Sequence, residues 1–356
     1  ERLPMRLILG IESSCDETAA AVLEDGRRLR STVVASQVEV HAMYGGIVPD
    51  LASREHLAHF PRLFEEVARH PEAAKISQVA VTCGPGLAGC LALGMAAAVG
   101  YATAHALPLV GVNHLRGHAF SPFIPLHERD PENFSKAFGS LLPHLGLLVS
   151  GGNTLAYLIK KDGHIALLAQ TLDDAAGEAL DKGAKLLGMP YPGGPLVEKC
   201  ALGGKADAFE FPRAITPRNE PVSFSFSGLK TSLRYRLAKM SAEEISSAKA
   251  DLCASYQQAV IDQLTRKTRR LVTENKPASL GLCGGVSNNQ ALRGAFEQLA
   301  QDEKIPLLLA KPEHTGDNAA MMAFAAWADP LGVLQGDEAL KFHPSLALTH
   351  ERNEQK

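Results

Sequence analysis

Two histidines, His114 and His118, lie four residues apart in the stretch GVNHLRGHAF. On a helix this spacing places both imidazoles on one face, one turn apart, where they can bind the same metal ion. A zinc peptidase of the HExxH type carries a glutamate directly after the first histidine as its general base, and here that position is Leu115. The pair therefore indicates a metal site without a peptidase base, or a surface coincidence if no further ligand exists.

A catalytic metal site needs a third protein ligand and an open position. The stretch HTGDNAAMMAF, residues 314–324, offers Asp317 near the predicted start of a helix, and His314 and Asn318 are rivals from the same loop. Two histidines and one aspartate form a set that suits iron(II), and zinc also binds it.

The composition sets broad limits on what the chain does. Its 356 residues are enough for two domains, and 46% hydrophobic with 21% charged residues is typical of a globular protein. The net charge of −3 gives no overall attraction to nucleic acid, so such contacts must come from local basic patches. Six scattered cysteines without a CxxC pair argue against a zinc ribbon or a disulfide framework and favour a reducing cytoplasm.

The N-terminal stretch ERLPMRLILG lacks the pattern of a signal peptide, and Met5 is a candidate native start. The apolar run from 87 to 107 is interrupted by three glycines and His105. It therefore predicts a buried helix rather than a membrane span.

Two segments show the same order of predicted elements. Residues 7–36 give a strand, a small polar turn, a second strand, an Asp25–Gly26 turn and a third strand, and residues 145–170 repeat this order with an Asp162–Gly163 turn. Each segment is followed by helices, a strand, a glycine turn, a helix and another strand, which indicates parallel strands covered on both faces. We predict an α/β fold with duplicated βββαβα units; two unrelated α/β domains are the alternative.

Small-residue turns follow four of the predicted strands, at 13–14, 84–86, 149–153 and 284–289. Ligands of α/β sheets collect at such strand ends, and glycine lets backbone N–H groups approach phosphate oxygens. No turn matches a Walker A loop. The repeat and the turns resemble the bilobed actin-like ATPase (ASKHA) superfamily, with a nucleotide in a central cleft.

Two charged segments are further candidates. On the helix predicted over 173–188, with Asp173 or Asp174 as its cap, Asp181 can accept hydrogen bonds from a ribose; a solvated face paired with Lys182 is the alternative. The basic segment FSFSGLKTSLRYR offers Lys230, Arg234 and Arg236 for contact with a phosphate backbone, and an amphipathic helix with a wet basic side is the alternative.

Ten motifs, in order along nearly the whole chain, resemble those of the TsaD (Gcp) family, the transferase subunit that makes threonylcarbamoyladenosine in tRNA. The motifs are GIESSCDET (10–18), HAMYGGIVPDLASREH (41–56), GPGLAG (84–89), NHLRGH (113–118), LLVSGGNT (147–154), DDAAGEALDK (173–182), YPGGP (191–195), FSFSGLKT (224–231), GGVSNN (284–289) and TGDNAAM (315–321). Asn153 stands where many members have histidine, and the stretch between His118 and the VSGGN turn is longer than in many members.

This resemblance implies transfer of a threonylcarbamoyl group from threonylcarbamoyl-AMP to N6 of adenosine 37, in tRNAs that read codons beginning with A, with release of AMP. It implies one Fe²⁺ or Zn²⁺ per subunit on His114, His118 and Asp317, and binding of ATP, ADP or AMP. The implied partners are tRNA, a TsaB-like paralogue, a TsaE-like ATPase and the synthase that supplies the donor. We expect no association with a membrane. The implied donor contacts are Leu148, Val149, Ser150, Gly151, Gly152, Asp181, Gly194 and Asn289.

No general base is obvious, and Glu12 and Asp16 are the candidates. We expect an N-terminal lobe over 5–130, completed by C-terminal helices over about 318–345, a second lobe over 145–317, and a linker or insertion over 131–144. Three alternatives stay open: a carbamoyl transferase of the same fold that acts on another substrate, a metallopeptidase, and a non-catalytic scaffold, against which the three metal-ligand candidates argue.

Overall fold

The computed structural model describes residues 7–24 and 28–351, with only the backbone described for residues 28–33. Met5 and the Asp25–Gly26 turn lie outside these residues. The chain forms two compact units. Unit 1 comprises Glu1–Leu141, Lys161–Ile165 and Ala310–Lys356, and unit 2 comprises Leu142–Lys160 and Ala166–Leu309.

Strands and helices alternate along the described chain. The strands are β1 (Leu7–Glu12), β2 (Glu17–Glu24), β3 (Arg28–Ser36), β4 (Ile76–Gly84), β5 (Leu109–Asn113), β6 (His144–Val149), β7 (Thr154–Ile159), β8 (Ile165–Gln170), β9 (Ser279–Cys283), β10 (Leu307–Leu309) and β11 (Val333–Leu334). The α-helices are α1 (Val38–Ala42), α2 (Pro49–Arg69), α3 (Ala88–Ala104), α4 (His114–Phe120), α5 (Ile124–Arg129), α6 (Phe134–Ser140), α7 (Ala176–Leu186), α8 (Gly194–Ala201), α9 (Ser227–Leu237), α10 (Ala242–Asn275), α11 (Gln290–Glu303) and α12 (Ala319–Ala328).

The sheet of unit 1 has the strand order β11-β5-β4-β1-β2-β3. Strand β1 pairs antiparallel with β2 and parallel with β4, and β4 pairs parallel with β5. All six residues of β1 are buried because helices pack on the sheet, among them α12 against β1 and β2. Gly10 allows this close packing: a Cβ there would lie 2.3 Å from the backbone oxygen of Ala319.

The sheet of unit 2 has the order β10-β9-β6-β7-β8. Strands β6 and β7 pair antiparallel, whereas β6 pairs parallel with β9 and β9 pairs parallel with β10. Numbered within each unit, both sheets therefore share the order 3-2-1-4-5, which confirms the duplicated α/β unit. The tight turn between β7 and β8 has its glycine, Gly163, at a φ of +87°, a conformation that glycine adopts without steric cost.

One local detail differs from the prediction. The helix predicted over 173–188 begins only at Ala176, and its N-cap residue, Ala175, makes no side-chain cap. The carboxylate of Asp173 instead accepts hydrogen bonds from the backbone N–H of Phe226 (2.7 Å) and the hydroxyl of Ser227 (2.8 Å). The segment 131–144 contains helix α6.

Helix α3 occupies the apolar run that predicted a buried helix, and it packs on β4 and α2. Among the described residues, no helix is both long and apolar enough to cross a membrane.

Candidate metal centre and donor-binding loops

Both histidines of the HxxxH pair lie on helix α4, which begins where β5 ends. Asn113, the last residue of β5, caps the helix, because its side-chain oxygen accepts the N–H groups of Leu115 (2.9 Å) and Arg116 (3.4 Å). His114 and His118 are both buried, and their ring centroids lie 4.7 Å apart. The spacing thus places both imidazoles on one face, as predicted from the sequence.

The third residue, Asp317, lies directly before α12, within the same unit as the histidines. One carboxylate oxygen, Oδ1, is 3.4 Å from Nε2 of His114 and 3.1 Å from Nε2 of His118. Of the two rivals, Asn318 is occupied as the N-cap of α12, accepting the N–H of Met321 at 2.9 Å. His314 is buried but is not part of a group of possible metal ligands among the described residues.

Glu12, at the end of β1, fixes the orientation of the first imidazole. Its Oε2 atom lies 3.1 Å from Nδ1 of His114 and accepts a 2.5 Å hydrogen bond from the Thr82 hydroxyl, while Oε1 accepts the N–H of Ser14 at 2.5 Å. This carboxylate favours a proton on Nδ1, so in the neutral form of His114 the lone pair lies on Nε2, the atom that faces Asp317. This is the tautomer that a metal ligand needs.

The electrostatics of the group favour a cation at its centre. Burial lowers the pKa of His114, but Asp317 and Glu12 outweigh that effect and raise it to about 9. Burial likewise opposes the charge on Asp317, yet His114 and His118 bring the pKa of its carboxyl down to about 2. The three ligand atoms lie within 4.8 Å of one another. Two neutral imidazoles and a carboxylate thus fit a divalent iron or zinc ion, whose charge would replace the proton on His114.

Asp16 and Glu17 form a second acidic group with Asp317, with ligand atoms again within 4.8 Å of one another. Burial, Asp317 and Asp16 raise the pKa of Glu17 to about 10, so this carboxyl stays protonated at neutral pH. Glu17 is not among the candidate bases predicted from the sequence, which are Glu12 and Asp16. Its position directly after Asp16, in the triplet DET, is the sequence feature that could have indicated it.

An ion pair that the sequence reasoning missed lies between the two elements that carry the ligands. Arg116 is fully buried on α4, and its Nη2 donates to Oδ1 of Asp329 at 2.7 Å, while Nε contacts Oδ2 of the same carboxylate. Asp329 is the C-cap of α12, the helix that follows Asp317. The bidentate pair therefore ties α4 to α12.

The glycine turn after β6 lies in unit 2. Leu148 and Val149 are buried at the end of the strand, and Ser150 closes the turn by donating its N–H to the carbonyl of Asn153 at 2.8 Å. Gly151 and Gly152 are exposed, and no atom lies within 4 Å of where a Cβ would be placed on either. A ligand can therefore approach the backbone of both glycines without meeting a side chain.

Of the remaining predicted donor contacts in the same unit, Asp181 lies within α7, whereas Gly194 and Asn289 lie at helix starts. Oδ1 of Asp181 accepts the N–H groups of Gly193 (2.8 Å) and Gly194 (2.9 Å), which ties α7 to the start of α8. Burial raises the pKa of Asp181 despite these hydrogen bonds. Asn289 caps α11 through the N–H of Leu292 at 2.9 Å.

A family model described as TsaD, tRNA N6-adenosine threonylcarbamoyltransferase, matches residues 28–324. The chain belongs to the TsaD family. It is 46% identical over 319 residues to the tRNA N6-adenosine threonylcarbamoyltransferase of Geotalea uraniireducens, covering 89% of each chain. It is 47% identical over 326 residues to the same-named protein of Anaeromyxobacter dehalogenans strain 2CP-C, with 90% of this chain and 93% of that one covered. The protein of that name from Thermosipho africanus is 38% identical over 344 residues, with 96% and 100% covered.

Solved structures show the fold at low sequence identity. HypF of T. kodakarensis matches with a TM-score of 0.57 at 14% identity, over 92% of this chain and 48% of that one. Component A of the (R)-2-hydroxyglutaryl-CoA dehydratase of Acidaminococcus fermentans matches with a TM-score of 0.51 at 13% identity, over 91% and 98%. The fold is thus the actin-like ATPase (ASKHA) fold expected from the sequence.

The basic FSFSGLKT segment of this TsaD chain forms the start of α9 and the residues before it. Arg234 is exposed and its guanidinium carbon lies 5.4 Å from the centre of the Tyr235 ring, while Lys230 and Arg236 are half-buried. Two arginines of the next helix, α10, instead form ion pairs with acidic residues. Arg269 pairs with Asp302 at 2.7 Å, and Arg270 pairs with Glu274 at 2.7 Å.

Proposed function

We propose that this protein transfers the threonylcarbamoyl group of threonylcarbamoyl-AMP to N6 of adenosine 37 in tRNAs that read codons beginning with A, releasing AMP. The convergence of His114, His118 and Asp317 in a chain of the TsaD family is the observation that carries this proposal. A peptidase is not supported, because the residue after His114 is the buried Leu115 and not a glutamate.

In this reaction the N6 amine forms a C–N bond with the carbamoyl carbon, the bond from that carbon to the phosphate oxygen breaks, and AMP carries away the electron pair. An Fe²⁺ or Zn²⁺ ion held by His114, His118 and Asp317 would act as a Lewis acid toward donor oxygens. The role of Glu12 is to hold His114 in the tautomer that leaves Nε2 free, since its oxygens already accept three hydrogen bonds or close contacts.

The amine must also lose a proton as the new bond forms. Asp16 is our candidate for the group that receives it, because it lies beside Asp317 and, unlike Glu12, is not held by His114.

For the donor we propose contacts with the N–H groups of the exposed Gly151 and Gly152 and with the rest of their loop, Leu148 to Ser150. Such N–H groups can bind phosphate oxygens without a steric clash. Asp181, Gly194 and Asn289 complete the proposed set, with Asp181 as the acceptor for ribose hydroxyls. The same contacts would bind ATP, ADP or AMP.

The substrate tRNA follows from the family, and we propose that Lys230, Arg234 and Arg236 contact its phosphates. The proposed protein partners are a TsaB-like paralogue, a TsaE-like ATPase and the synthase that supplies the donor. Because its substrates are tRNA and an ATP-derived adenylate, we place the reaction in the cytoplasm.

The test is a reconstituted reaction. The protein is incubated with its partner subunits, synthase, threonine, bicarbonate, ATP and unmodified tRNA, and the nucleosides are analysed by mass spectrometry. We expect threonylcarbamoyladenosine with the wild type and with Asp337→Ala, an exposed control, but none with Asp317→Ala, which should also lose its metal. Absence of product with the wild type, where a related enzyme works, would overturn the proposal. An unchanged metal content in Asp317→Ala would overturn the ligand set.

A further inference from the structure

A cavity of about 620 Å³ opens where α9 ends and α10 begins, within unit 2. Tyr235, Arg236 and Lys239 line it from α9 and the turn after it, and Phe209, Glu244 and Ser247 are among the residues that line its other walls. Its volume is in the range of pockets that hold small organic ligands. The predicted donor contacts and the metal ligands are not among the residues that line it.

The segment that forms one wall is strongly cationic. From residue 227 to 242 the sequence contains Lys230, Arg234, Arg236 and Lys239 and no acidic residue. Within the described part of the chain, no carboxylate forms an ion pair with any of these four side chains. The one carboxylate that lines the cavity, Glu244, accepts the N–H of Ser241 at 2.7 Å in the capping box of α10. These cations are therefore available to anionic groups.

Aromatic rings accompany the cations. The Tyr235 ring is 61% exposed, an unusual position for a large side chain, and Arg234 covers one part of it. The guanidinium of Arg236 lies 5.1 Å from the centre of the Phe209 ring and 5.7 Å from that of Phe211. Such rings and guanidinium planes are surfaces on which unpaired bases stack.

One polar atom in the cavity wall lacks a partner. Nη2 of Arg236 donates to the carbonyl of Glu210 at 3.2 Å, but Nε is buried and makes no hydrogen bond with the described residues. A buried donor without an acceptor costs free energy, so this guanidinium is held at a cost beside the cavity. The two phenylalanine rings hold this guanidinium in place beforehand.

We propose that this cavity binds one unpaired nucleotide of the substrate tRNA, with its base on Tyr235 and its phosphate between Arg236 and Lys239. The inference rests on the proposed function, because it takes tRNA as the substrate. Lys230 and Arg234, one helical turn apart, lie on another side of α9 and are not among the residues that line the cavity. Two cations beside a ring match the phosphate and the base of one nucleotide, and tRNA is the polynucleotide on which the family acts.

Binding of unmodified tRNA to the full chain, measured by fluorescence anisotropy at several salt concentrations, tests the proposal. Tyr235→Ala should weaken binding by about 5- to 100-fold, the range for loss of one stacked base, whereas Tyr235→Phe should bind like the wild type. Lys239→Gln should lower the slope of log K against log salt by about 0.7 for one contact with a single-stranded phosphate. The control, Lys160→Gln, removes an exposed lysine directly after β7 and should leave the slope unchanged.

A photo-crosslinking amino acid at position 235 then identifies the nucleotide, which should be unpaired. Wild-type tRNA affinity in both Tyr235→Ala and Lys239→Gln would overturn the proposal, and continued formation of threonylcarbamoyladenosine would show that the proposed function survives. If free AMP and tRNA bind equally well, and Tyr235→Ala abolishes both, the cavity is a site for free nucleotides and the proposal is wrong. A crosslink to tRNA without any product would support the cavity and count against the proposed function.

Discussion

The buried pair between Arg116 and Asp329 should control the stability of unit 1. Arg116 is 0% exposed and Asp329 3% exposed, so neither charge has water as a substitute partner. Asp329→Asn keeps the size of the side chain but removes the bidentate counter-charge of the guanidinium, so Glu351, whose Oε1 lies 3.5 Å from Nη1, is the carboxylate that stays paired with it. The remaining backbone partner of the guanidinium is the carbonyl of Leu348, at 3.4 Å from Nη1.

The expected loss is up to about 3–5 kcal/mol in the free energy of unfolding, the range for breaking one side of a buried ion pair, because Glu351 compensates only part of the remaining charge. For a cooperative unit of roughly 150–250 residues, this corresponds to a fall in Tm of about 6–20 °C. Since the pair ties α4 to α12, the metal ligands on and before these helices should also lose their fixed spacing. We therefore expect weaker metal binding together with the lower Tm.

The assay is thermal unfolding of metal-free protein, followed by a titration with Co²⁺ observed by its visible absorption. Lys311→Met is the matched control, because it breaks a half-buried pair in the same unit, Lys311 with Glu128 at 2.6 Å, and should cost about 0–1 kcal/mol. The double variant Arg116→Met/Asp329→Leu removes both charges. It should be more stable than Asp329→Asn, since no uncompensated charge stays buried.

Two results would refute this reasoning. If Asp329→Asn loses no more free energy of unfolding than Lys311→Met, burial does not increase the contribution of the ion pair to stability. A double variant less stable than the single one would mean that packing or hydrogen-bond geometry, rather than the unpaired charge, sets the cost.

Three further predictions concern the same unit. Glu12→Gln should weaken Co²⁺ or Zn²⁺ binding by about 10- to 100-fold in a competition titration, because the amide no longer fixes the tautomer of His114. The pKa of His114 is raised to about 9 in the folded metal-free protein, against 6.5 for the free side chain. The stabilisation that comes from protonation of His114 is thus complete below about pH 6.5 and is lost as the pH rises to 9. In urea unfolding of the metal-free protein, the free energy of unfolding should therefore fall more steeply over this range in the wild type than in His114→Gln. Gly10→Ala should lower the free energy of unfolding by about 1–3 kcal/mol, because the added methyl group meets the backbone oxygen of Ala319 and displaces α12; an unchanged urea midpoint would contradict this.

Features determined by local sequence were predictable. Alternating strands and helices and the glycine of a tight turn predicted the repeated unit, and the apolar run from 87 to 107 predicted the buried helix that the structure shows as α3. The pairing of His114 with His118 also follows from local spacing on one helix. These features depend on neighbours within a few residues, where backbone geometry leaves few alternatives.

Features that depend on residues far apart in the chain were not predictable. Arg116 and Asp329 are separated by 213 residues, and nothing near either residue in the sequence indicates the other. The link from Glu12 to His114 spans 102 residues. The protonation of Glu17 depends on burial and on two other carboxyls, so it becomes visible only when the fold brings them together.

The duplication explains how the proposed metal-ligand set is assembled. The histidine helix α4 follows β5, the fifth strand of the first repeat, and Asp317 follows β10, the fifth strand of the second. After β10, however, the chain belongs to unit 1, where α12 packs on β1 and β2. Each repeat thus supplies one ligand-bearing segment from the same topological position, yet all three ligands lie within one unit. Metal binding should therefore depend on the packing of α4 and α12 within unit 1, and a change in a donor loop of unit 2 should leave the metal affinity unaltered.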